Sequence, residues 1–304
     1  MLKYLIVQLC DSATSFCYYE NRGDSSYNLI SFENLKSGIL WAMKENLVVQ
    51  FVYPKYKLPQ KYYDLIDSVE HVNIKSNEPS ADIPVYNGVQ DFLSLTSEDL
   101  TPKVLRLSKK DFFDNVDNLL RHSVINIVIT DIHTLTESEQ DIYKCALQKF
   151  ASRIVERVKK GEPTHVNLLT TRVQLSSMCN CNAGNESITL APDGNFYICP
   201  AFYFDKEVSV GNPNDGLSIP NPQLYKLEYS PICRKCDSFQ CKRCVWLNKI
   251  TTQEINIPSH EQCVAAHIER NMSKELLDSL KECGMAGTDI SIAELDYLDP
   301  FDKF

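Results

Sequence analysis

The stretch Cys233-Arg-Lys-Cys236-Asp-Ser-Phe-Gln-Cys241-Lys-Arg-Cys244 contains two Cys-x2-Cys pairs separated by four residues. Each pair can direct two thiolates at one metal ion or cluster, so this spacing is a strong indication of metal binding. Outside this stretch, Cys179, Cys181 and Cys199 precede it and Cys263 follows it. Eight of the 12 cysteines therefore fall in one region, which we interpret as the metal-binding part of the protein.

Composition and charge restrict the class of protein. The chain has 304 residues, 43% of them hydrophobic and 23% charged, which is typical of a globular protein with a real core. Its net charge of -9 argues against nonspecific nucleic-acid binding. The sequence contains no run of 18 apolar residues, so we predict no membrane span. The opening Met1 to Leu9 fits a first strand better than a signal peptide, so we expect a cytoplasmic protein with reduced cysteines. A secreted disulfide protein is the alternative.

Strand and helix patterns alternate about six times in the first 174 residues. The clearest helix runs from Glu137 to Lys160, with Cys145 on its predicted apolar face, and an earlier helix begins after Ser31 with Leu35, Ile39, Leu40 and Met43 as its apolar face. The predicted strands are 4–9, 47–53, 72–74, 103–107, 124–130 and 165–171. This alternation predicts an α/β fold with a parallel sheet, either a partial (β/α)6 barrel or, as second choice, a doubly wound open sheet. Ligands in either fold would lie in the loops after Leu9 and Tyr53.

The pattern changes after residue 174. Strands at 188–190 and 196–198 flank Pro192-Asp193-Gly194, which predicts a hairpin. Segments 259–270 and 273–283 look like two helices, and an acidic tail follows. We therefore expect domains at 1–174 and 175–270, with a C-terminal helix and tail at 271–304.

The eight clustered cysteines suit two four-thiolate sites, and both zinc and iron–sulfur clusters use such sites. Spacing alone does not decide their grouping. One grouping is Cys233, Cys236, Cys241 and Cys263 with Cys179, Cys181, Cys199 and Cys244, and the alternative is a single zinc knuckle of Cys233, Cys236, Cys241 and Cys244. His260 and His267 flank Cys263 and are either further ligands or groups beside the site.

The same region resembles a SPASM domain, the auxiliary-cluster domain of radical S-adenosylmethionine enzymes that modify peptides. The resemblance lies in Cys181-Asn-Ala-Gly184, Pro192-Asp-Gly194, Cys199-Pro200, Val210-Gly211-Asn212, the paired cysteines and Cys263. It implies two 4Fe-4S clusters with the crossed ligand sets of the first grouping, and two zinc ions are the alternative.

The N-terminal part resembles the same superfamily with a degenerate motif. Ala13-Thr-Ser-Phe-Cys17-Tyr-Tyr19-Glu20 overlays the family's three-cysteine motif, but only its middle cysteine, Cys17, is present. Phe51-Val-Tyr-Pro54 stands where the family has Gly-Gly-Glu-Pro. A cluster that leaves one iron open needs three protein ligands, so the resemblance argues against S-adenosylmethionine as cofactor. Cys17 and Glu20 are the catalytic candidates. The alternative is that Cys17 is an ordinary loop thiol and Glu20 a solvated carboxylate. Cys10 is either a second thiol of this loop or a small core residue.

Taken whole, the chain resembles the peptide maturases of CXXX-repeat peptide modification systems. The resemblance is carried by Leu5-Ile-Val-Gln-Leu9, by Tyr18-Tyr-Glu-Asn21, and by the segment from Cys244-Val-Trp-Leu-Asn-Lys249 through Pro258-Ser-His-Glu-Gln-Cys263. It implies a ribosomally made precursor peptide with Cys repeats as partner, together with a companion modification protein.

Three functions follow. The first is an iron–sulfur protein that serves peptide maturation without conventional radical cleavage. The second is a non-catalytic peptide-binding scaffold with structural zinc. The third is a radical peptide-modifying enzyme with an unusual S-adenosylmethionine site.

Overall fold

The computed structural model of the chain describes residues 2–23, 28–95, 100–178, 181–285 and 291–292. The chain divides into two compact units. The first unit comprises Met1–Val85, Cys181–Tyr229 and Cys244–Trp246, and the second comprises Tyr86–Asn180, Ser230–Arg243 and Leu247–Phe304. The three domain ranges expected from the sequence stay a prediction.

The described strands and helices follow one another in an α/β order. The strands are β1 (Tyr4–Gln8), β2 (Val48–Val52), β3 (His71–Ser76), β4 (Ile83–Asn87), β5 (Val104–Leu107), β6 (Val124–Ile129), β7 (His165–Val166), β8 (Ser187–Leu190), β9 (Phe196–Tyr197), β10 (Gly211–Asn212) and β11 (Gly216–Leu217). The α-helices are α1 (Phe32–Lys44), α2 (Gln60–Ile66), α3 (Val89–Leu93), α4 (Lys109–Leu119), α5 (Glu137–Lys159), α6 (Asn167–Gln174), α7 (Pro200–Phe204), α8 (Val245–Thr252) and α9 (His260–Glu282). None of the helices in the described ranges is long and apolar enough to cross a membrane.

The first unit is built around β1. This strand pairs in parallel with β2 on one side and with β8 on the other, and β3 extends the same parallel sheet from β2. The hairpin predicted around Gly194 is present, because β9 pairs antiparallel with β8 and Gly194 has a positive φ of 85°. The loop after β1 therefore begins at the carboxyl edge of the sheet, where α/β folds place their ligands.

Helix α1 begins where the sequence predicts. The Ser31 side chain accepts a hydrogen bond from the Asn34 backbone at 3.1 Å, which caps the helix. Leu35 and Ile39 are buried, but Leu40 and Met43 are 56% and 61% exposed, so their assignment to the apolar face is wrong. The small residues Gly38 and Ala42 complete the buried face of α1 instead. A side chain at position 38 would not fit, because its Cβ would lie 2.2 Å from Leu190 Cδ2.

In the second unit, β5, β6 and β7 pair in parallel. The strand predicted at 165–171 is wrong beyond Val166, because the chain turns into α6 at Asn167. The Asn167 side chain receives a hydrogen bond from the Ile127 backbone N–H at 2.7 Å and donates one to the Ile127 carbonyl at 3.0 Å. The Asn167 amide thus pairs with the Ile127 backbone groups that a longer β7 would otherwise pair with. The backbone after Val166 is therefore free of strand pairing and forms α6.

Helix α9 is continuous, so the prediction of two helices that break near residue 271 is wrong. The Ser259 side chain caps α9, but the Ser273 hydroxyl donates to the Glu269 and Leu169 carbonyls at 2.8 Å each and so does not cap a new helix. The position of Cys145 is also corrected, because Cys145 is exposed on α5. The buried face of α5 runs through Tyr143, Ala146, Leu147, Phe150 and Ile154.

Candidate metal-binding sites

Four cysteines of the second unit surround one cavity of about 510 Å³. We refer to Cys233, Cys236, Cys241 and Cys263 as the second-unit thiols. Their side chains line this cavity together with those of His260 and His267. The structure thus places around one space the four residues that the first grouping assigned to one site, while their role as ligands stays a prediction.

Short turns and one helix position the second-unit thiols. Cys233 begins a 3-10 turn that ends at Lys235, and the Cys236 backbone donates to the Cys233 carbonyl at 3.1 Å. The Cys241 backbone donates to the Ser238 carbonyl at 2.9 Å. Cys263 lies in the first turn and a half of α9, where its backbone donates to the carbonyl of the helix cap Ser259 at 3.2 Å. None of these positions depends on a disulfide, since none of the described cysteines forms one.

Two backbone donors point at the sulfur atoms, and one histidine ring nitrogen lies beside them. The Ser238 and Arg243 backbone N–H groups each donate to the sulfur two residues earlier, to Cys236 and Cys241 respectively, at 3.4 Å. The buried His267 ring places Nε2 3.5 Å from Cys236 Sγ. Hydrogen bonds of this kind favour the thiolate over the thiol, and they adjust the reduction potential of iron–sulfur clusters.

The protein alone does not favour four thiolates here. Burial first, and neighbouring thiols of the same set in addition, raise the pKa of Cys233, Cys241 and Cys263 to about 12 in each case. Arg243 acts in the opposite direction on the pKa of Cys233, and its backbone N–H does so on that of Cys241. Ionisation of this set therefore needs additional positive charge, which a bound metal would supply.

A buried ion cluster holds the loop that carries Cys236. Asp237 Oδ2 accepts hydrogen bonds from Arg270 Nε and Nη2 at 3.0 and 2.9 Å, and Arg172 Nη2 lies 3.5 Å away. The Arg172 guanidinium also stacks 4.3 Å above the Phe239 ring. Sequence reasoning missed this cluster, because its residues are far apart in the chain and carry no spacing signal.

The first unit brings together another group of cysteines. Cys199 stands at the N-terminus of α7 and is half-buried, and the Ser187 hydroxyl donates to the Cys181 carbonyl at 3.1 Å. Burial raises the pKa of Cys199 well above its usual range, and electrostatic interactions with Cys244, Cys17 and Cys181 raise it further, in that order. The pKa of Cys199 thus responds to two other predicted ligands of the same set, Cys244 and Cys181, and also to Cys17. The fourth predicted ligand, Cys179, lies outside the described residues.

Many of the described side chains of the loop after β1 are buried and contact other parts of the protein. Ala13 is fully buried, and Asn21 Nδ2 donates to its carbonyl at 2.8 Å. Cys10 is also fully buried, with Sγ 3.2 Å from Ser12 Oγ, as expected of a small core residue. Glu20 is exposed.

Asp11 is a buried carboxylate in this loop that sequence reasoning missed. It accepts hydrogen bonds from the Tyr203 hydroxyl at 2.5 Å and from Arg22 Nη1 at 3.0 Å. These bonds connect the loop to α7 within the first unit.

The segment in the place of the family's Gly-Gly-Glu-Pro motif ends β2. Tyr53 donates its backbone N–H to the Ile74 carbonyl at 3.0 Å, and its own carbonyl accepts from the Thr14 backbone at 2.9 Å. Its ring stacks on Tyr63 with centroids 6.4 Å apart, and Lys75 Nζ lies 4.9 Å from the ring centroid.

Within the described ranges, no three His, Cys, Asp or Glu side chains are arranged so that they could hold a metal ion as they stand. The cavity that the second-unit thiols line has room for more than one ion. A zinc ion with bonds of about 2.3 Å would draw four sulfurs to within roughly 4 Å of one another. A polynuclear cluster holds its thiolates farther apart, and the donor set of four cysteines suits it equally well.

A search of solved structures found similar chains. The structure of native anSMEcpe with bound AdoMet and Cp18Cys peptide matches with a TM-score of 0.62 at 12% identity, over 93% of this chain and 100% of that chain. A polyhistidine-tagged form of anSMEcpe with bound AdoMet matches with a TM-score of 0.63 at 13% identity, over 95% and 97%. Streptococcus suis SuiB bound to the precursor peptide SuiA gives a TM-score of 0.47 at 9% identity, over 84% and 74%.

Neither a scan against protein-family models nor a search of curated proteins found a match. The structural likeness confirms the predicted fold class. The chain has the α/β fold, with a mostly parallel sheet in a partial barrel, of the anSMEcpe structures that it matches.

Proposed function

We propose that this chain is an iron–sulfur-binding protein of the cytoplasm that acts in maturation of a ribosomally synthesised precursor peptide with Cys repeats. The observation that carries the proposal is the placement of Cys233, Cys236, Cys241 and Cys263 around one cavity. Four cysteines at one buried site are the donor set of a four-iron cluster, and the backbone N–H groups aimed at two of the sulfurs suit thiolate ligands.

The proposed peptide partner rests on fold and resemblance together. The anSMEcpe structure, which has the same fold, was solved with a bound Cp18Cys peptide. The resemblance to CXXX-repeat peptide maturases makes a Cys-repeat precursor the specific candidate, with a companion modification protein as a second partner.

The loop after β1 supports a reaction without conventional radical cleavage. Of the three family cysteine positions, only Cys17 carries a thiol, because Ala13 and Glu20 stand at the other two. The other thiol of the loop, Cys10, is fully buried beside Ser12. The Ala13 position is fully buried and hydrogen-bonded, so no outside ligand reaches a metal there. S-adenosylmethionine would then have no open iron to bind.

Two other functions have an observation in their favour. A scaffold with structural zinc is favoured by the donor set itself, since four cysteines are also a common structural zinc site. A radical enzyme with an unusual cofactor site is favoured by the AdoMet bound in the anSMEcpe structure of the same fold.

Metal analysis of anaerobically purified protein separates these functions. Wild type should be brown and contain about eight irons, four per cluster. Cys263→Ser should lose about half of them, while Cys283→Ser, a matched change at the other end of α9, should keep them all. Colourless protein with about two zinc ions would support the scaffold instead.

Ligand binding tests the rest of the proposal. Calorimetry under reducing, anaerobic conditions should detect binding of a synthetic Cys-repeat peptide and no binding of S-adenosylmethionine. A peptide of the same composition with scrambled cysteine spacing is the control. Saturable binding of S-adenosylmethionine would favour the radical enzyme, and equal binding of both peptides would remove the specific partner.

A further inference from the structure

Strand β6 is half exposed on one of its two faces. Alternate side chains of a strand point to opposite faces of a sheet, and Ile125, Ile127 and Ile129 on one face are 0%, 2% and 3% exposed. On the other face, Asn126 and Val128 are only half-buried. β6 lies between β5 and β7 in a parallel sheet, where both faces are normally covered. The face that carries Asn126 is therefore accessible to solvent, and so to a ligand.

The neighbouring strands extend this face. Val104 on β5 is in register with Asn126 and is also half-buried. His165 on β7 is in register with Val124, which lies two residues before Asn126 on the same face of β6. We refer to Val104, Asn126, Val128 and His165 as the open face of the second-unit sheet. It combines one side-chain amide with two apolar side chains, one beside it on β5 and one after it on β6.

Hydrogen bonds fix the orientation of the Asn126 amide. Its Oδ1 lies 3.2 Å from His165 Nε2, and because an amide oxygen only accepts, this ring nitrogen carries the proton and donates. Burial, and the charge of Lys242 in addition, lower the pKa of His165, so the ring is neutral at pH 7 and Nδ1 accepts from the Thr170 hydroxyl at 2.9 Å. The described hydrogen bond of the Asn126 side chain uses only Oδ1, so both N–H groups of Nδ2 are available to an acceptor on the open face.

We propose that Asn126 binds the peptide partner, by donating from Nδ2 to a backbone carbonyl of an extended segment that lies on the open face. The inference rests on the proposed function for a peptide as the ligand. Every residue of a peptide offers a carbonyl acceptor, and Val104 and Val128 would contact apolar side chains next to that carbonyl. Because His165 holds the amide in place before binding, little side-chain entropy is lost when the peptide binds. This contact reads the peptide backbone and does not depend on the spacing of the cysteines.

Peptide binding by matched variants tests the assignment. Asn126→Asp keeps an oxygen for His165 but replaces the donating nitrogen with a second oxygen, which would face the peptide carbonyl. Titration calorimetry with the synthetic Cys-repeat peptide should give a Kd at least about tenfold higher than that of wild type. Asn115→Asp is the control, because Asn115 Nδ2 donates at 2.8 Å to the Asp111 carbonyl of its own helix α4, and its Kd should equal that of wild type. Equal affinity of Asn126→Asp and wild type overturns the inference.

A second measurement does not depend on the folding of a variant. In nuclear magnetic resonance spectra of wild-type protein, the two side-chain amide protons of Asn126 should shift when the peptide is added, because they enter a new hydrogen bond. Those of Asn115 should keep their positions. Unchanged Asn126 signals in the saturated complex would contradict a direct contact.

The peptide with scrambled cysteine spacing separates this inference from the proposed function. Whatever affinity wild type has for it should fall by the same factor in Asn126→Asp, because the contact is with the backbone. If wild type binds both peptides equally and Asn126→Asp weakens both, the Cys-repeat partner is lost but the role of Asn126 stands. Wild type that binds neither peptide overturns both.

Discussion

Asp237→Asn tests whether the buried ion cluster stabilises the second unit. The carboxylate of Asp237 faces two guanidinium groups, with Arg270 in two hydrogen bonds and Arg172 at 3.5 Å. All three side chains are buried. The asparagine side chain has nearly the same shape and keeps an oxygen that can accept hydrogen bonds, so the change mainly removes the negative charge.

The structure sets the expected size of the effect. Loss of one partner from a buried ion pair costs about 3–5 kcal/mol, because the remaining charge stays buried without compensation. Here two cations remain and face each other, while the retained oxygen offsets part of the loss. We therefore expect the free energy of unfolding to fall by about 3 kcal/mol.

Urea unfolding of the metal-loaded protein at pH 7 measures this change. Asp117→Asn is the matched control, since Asp117 pairs with Lys149 at 3.1 Å in the same unit but is 81% exposed, and it should cost less than about 1 kcal/mol. The double variant Asp237→Asn/Arg270→Gln should lose less free energy of unfolding than the two single variants lose together, by at least about 1 kcal/mol. A loss for Asp237→Asn no larger than that for Asp117→Asn would refute the reasoning.

Two further predictions concern one turn and one helix start. Gly184→Ala should lower the free energy of unfolding by about 2–3 kcal/mol in thermal unfolding, because φ is 80° and the new Cβ would lie 2.6 Å from the Tyr225 ring. Gly161→Ala, with φ of 73° and no described atom within 4 Å, should cost only about 1 kcal/mol; equal losses would exclude the contact as the cause. Glu139→Gln should cost about 1 kcal/mol above pH 5, because the Lys109 hydrogen bond lowers the pKa of Glu139 to about 2. A carboxylate whose pKa is lower in the folded than in the unfolded protein stabilises the fold at pH values above the unfolded pKa of about 4.3, and this contribution is lost as the pH falls. Urea unfolding at several pH values should therefore show the stability difference between wild type and Glu139→Gln shrinking between about pH 4.3 and 2. A stability difference that persists at pH 2 would contradict this.

Local signals in the sequence predicted much of the fold. The Ser31 cap begins α1 where the pattern indicates, and the helix predicted from Glu137 to Lys160 is present as α5. The apolar runs at β2 and β6 form strands within one or two residues of the predicted bounds. These features depend on residues next to one another in the chain, so a single sequence contains the information for them.

The errors arise where a distant contact overrides the local pattern. Val166 to Thr171 is apolar enough for a strand, but the Asn167 side chain pairs with the Ile127 backbone and the chain becomes helical. Ser273 resembles a helix cap in sequence, yet its hydroxyl reaches the Leu169 carbonyl. No spacing rule within a short window contains either partner.

In the candidate metal sites, too, the sequence predicted what depends on local spacing and missed what depends on distant contacts. Cys-x2-Cys spacing predicted that Cys233 and Cys236 act together, because both sulfurs lie on one short turn. Spacing could not reveal the contacts of Tyr19 and Asp11 with α7, which join the loop that carries Cys17 to the helix after Cys199.

Burial of the thiols links the metal to the fold in both units. An apo protein must hold Cys199 or Cys241 as neutral thiols, since burial and neighbouring sulfurs raise the pKa of each. Metal binding removes those protons and adds free energy that only the folded arrangement of sulfurs can receive, so the metal should stabilise the surrounding turns more than any contact between them. The short turns around Cys233 have little apolar core of their own. Their order is therefore expected to depend on the metal, whether or not it takes part in a reaction.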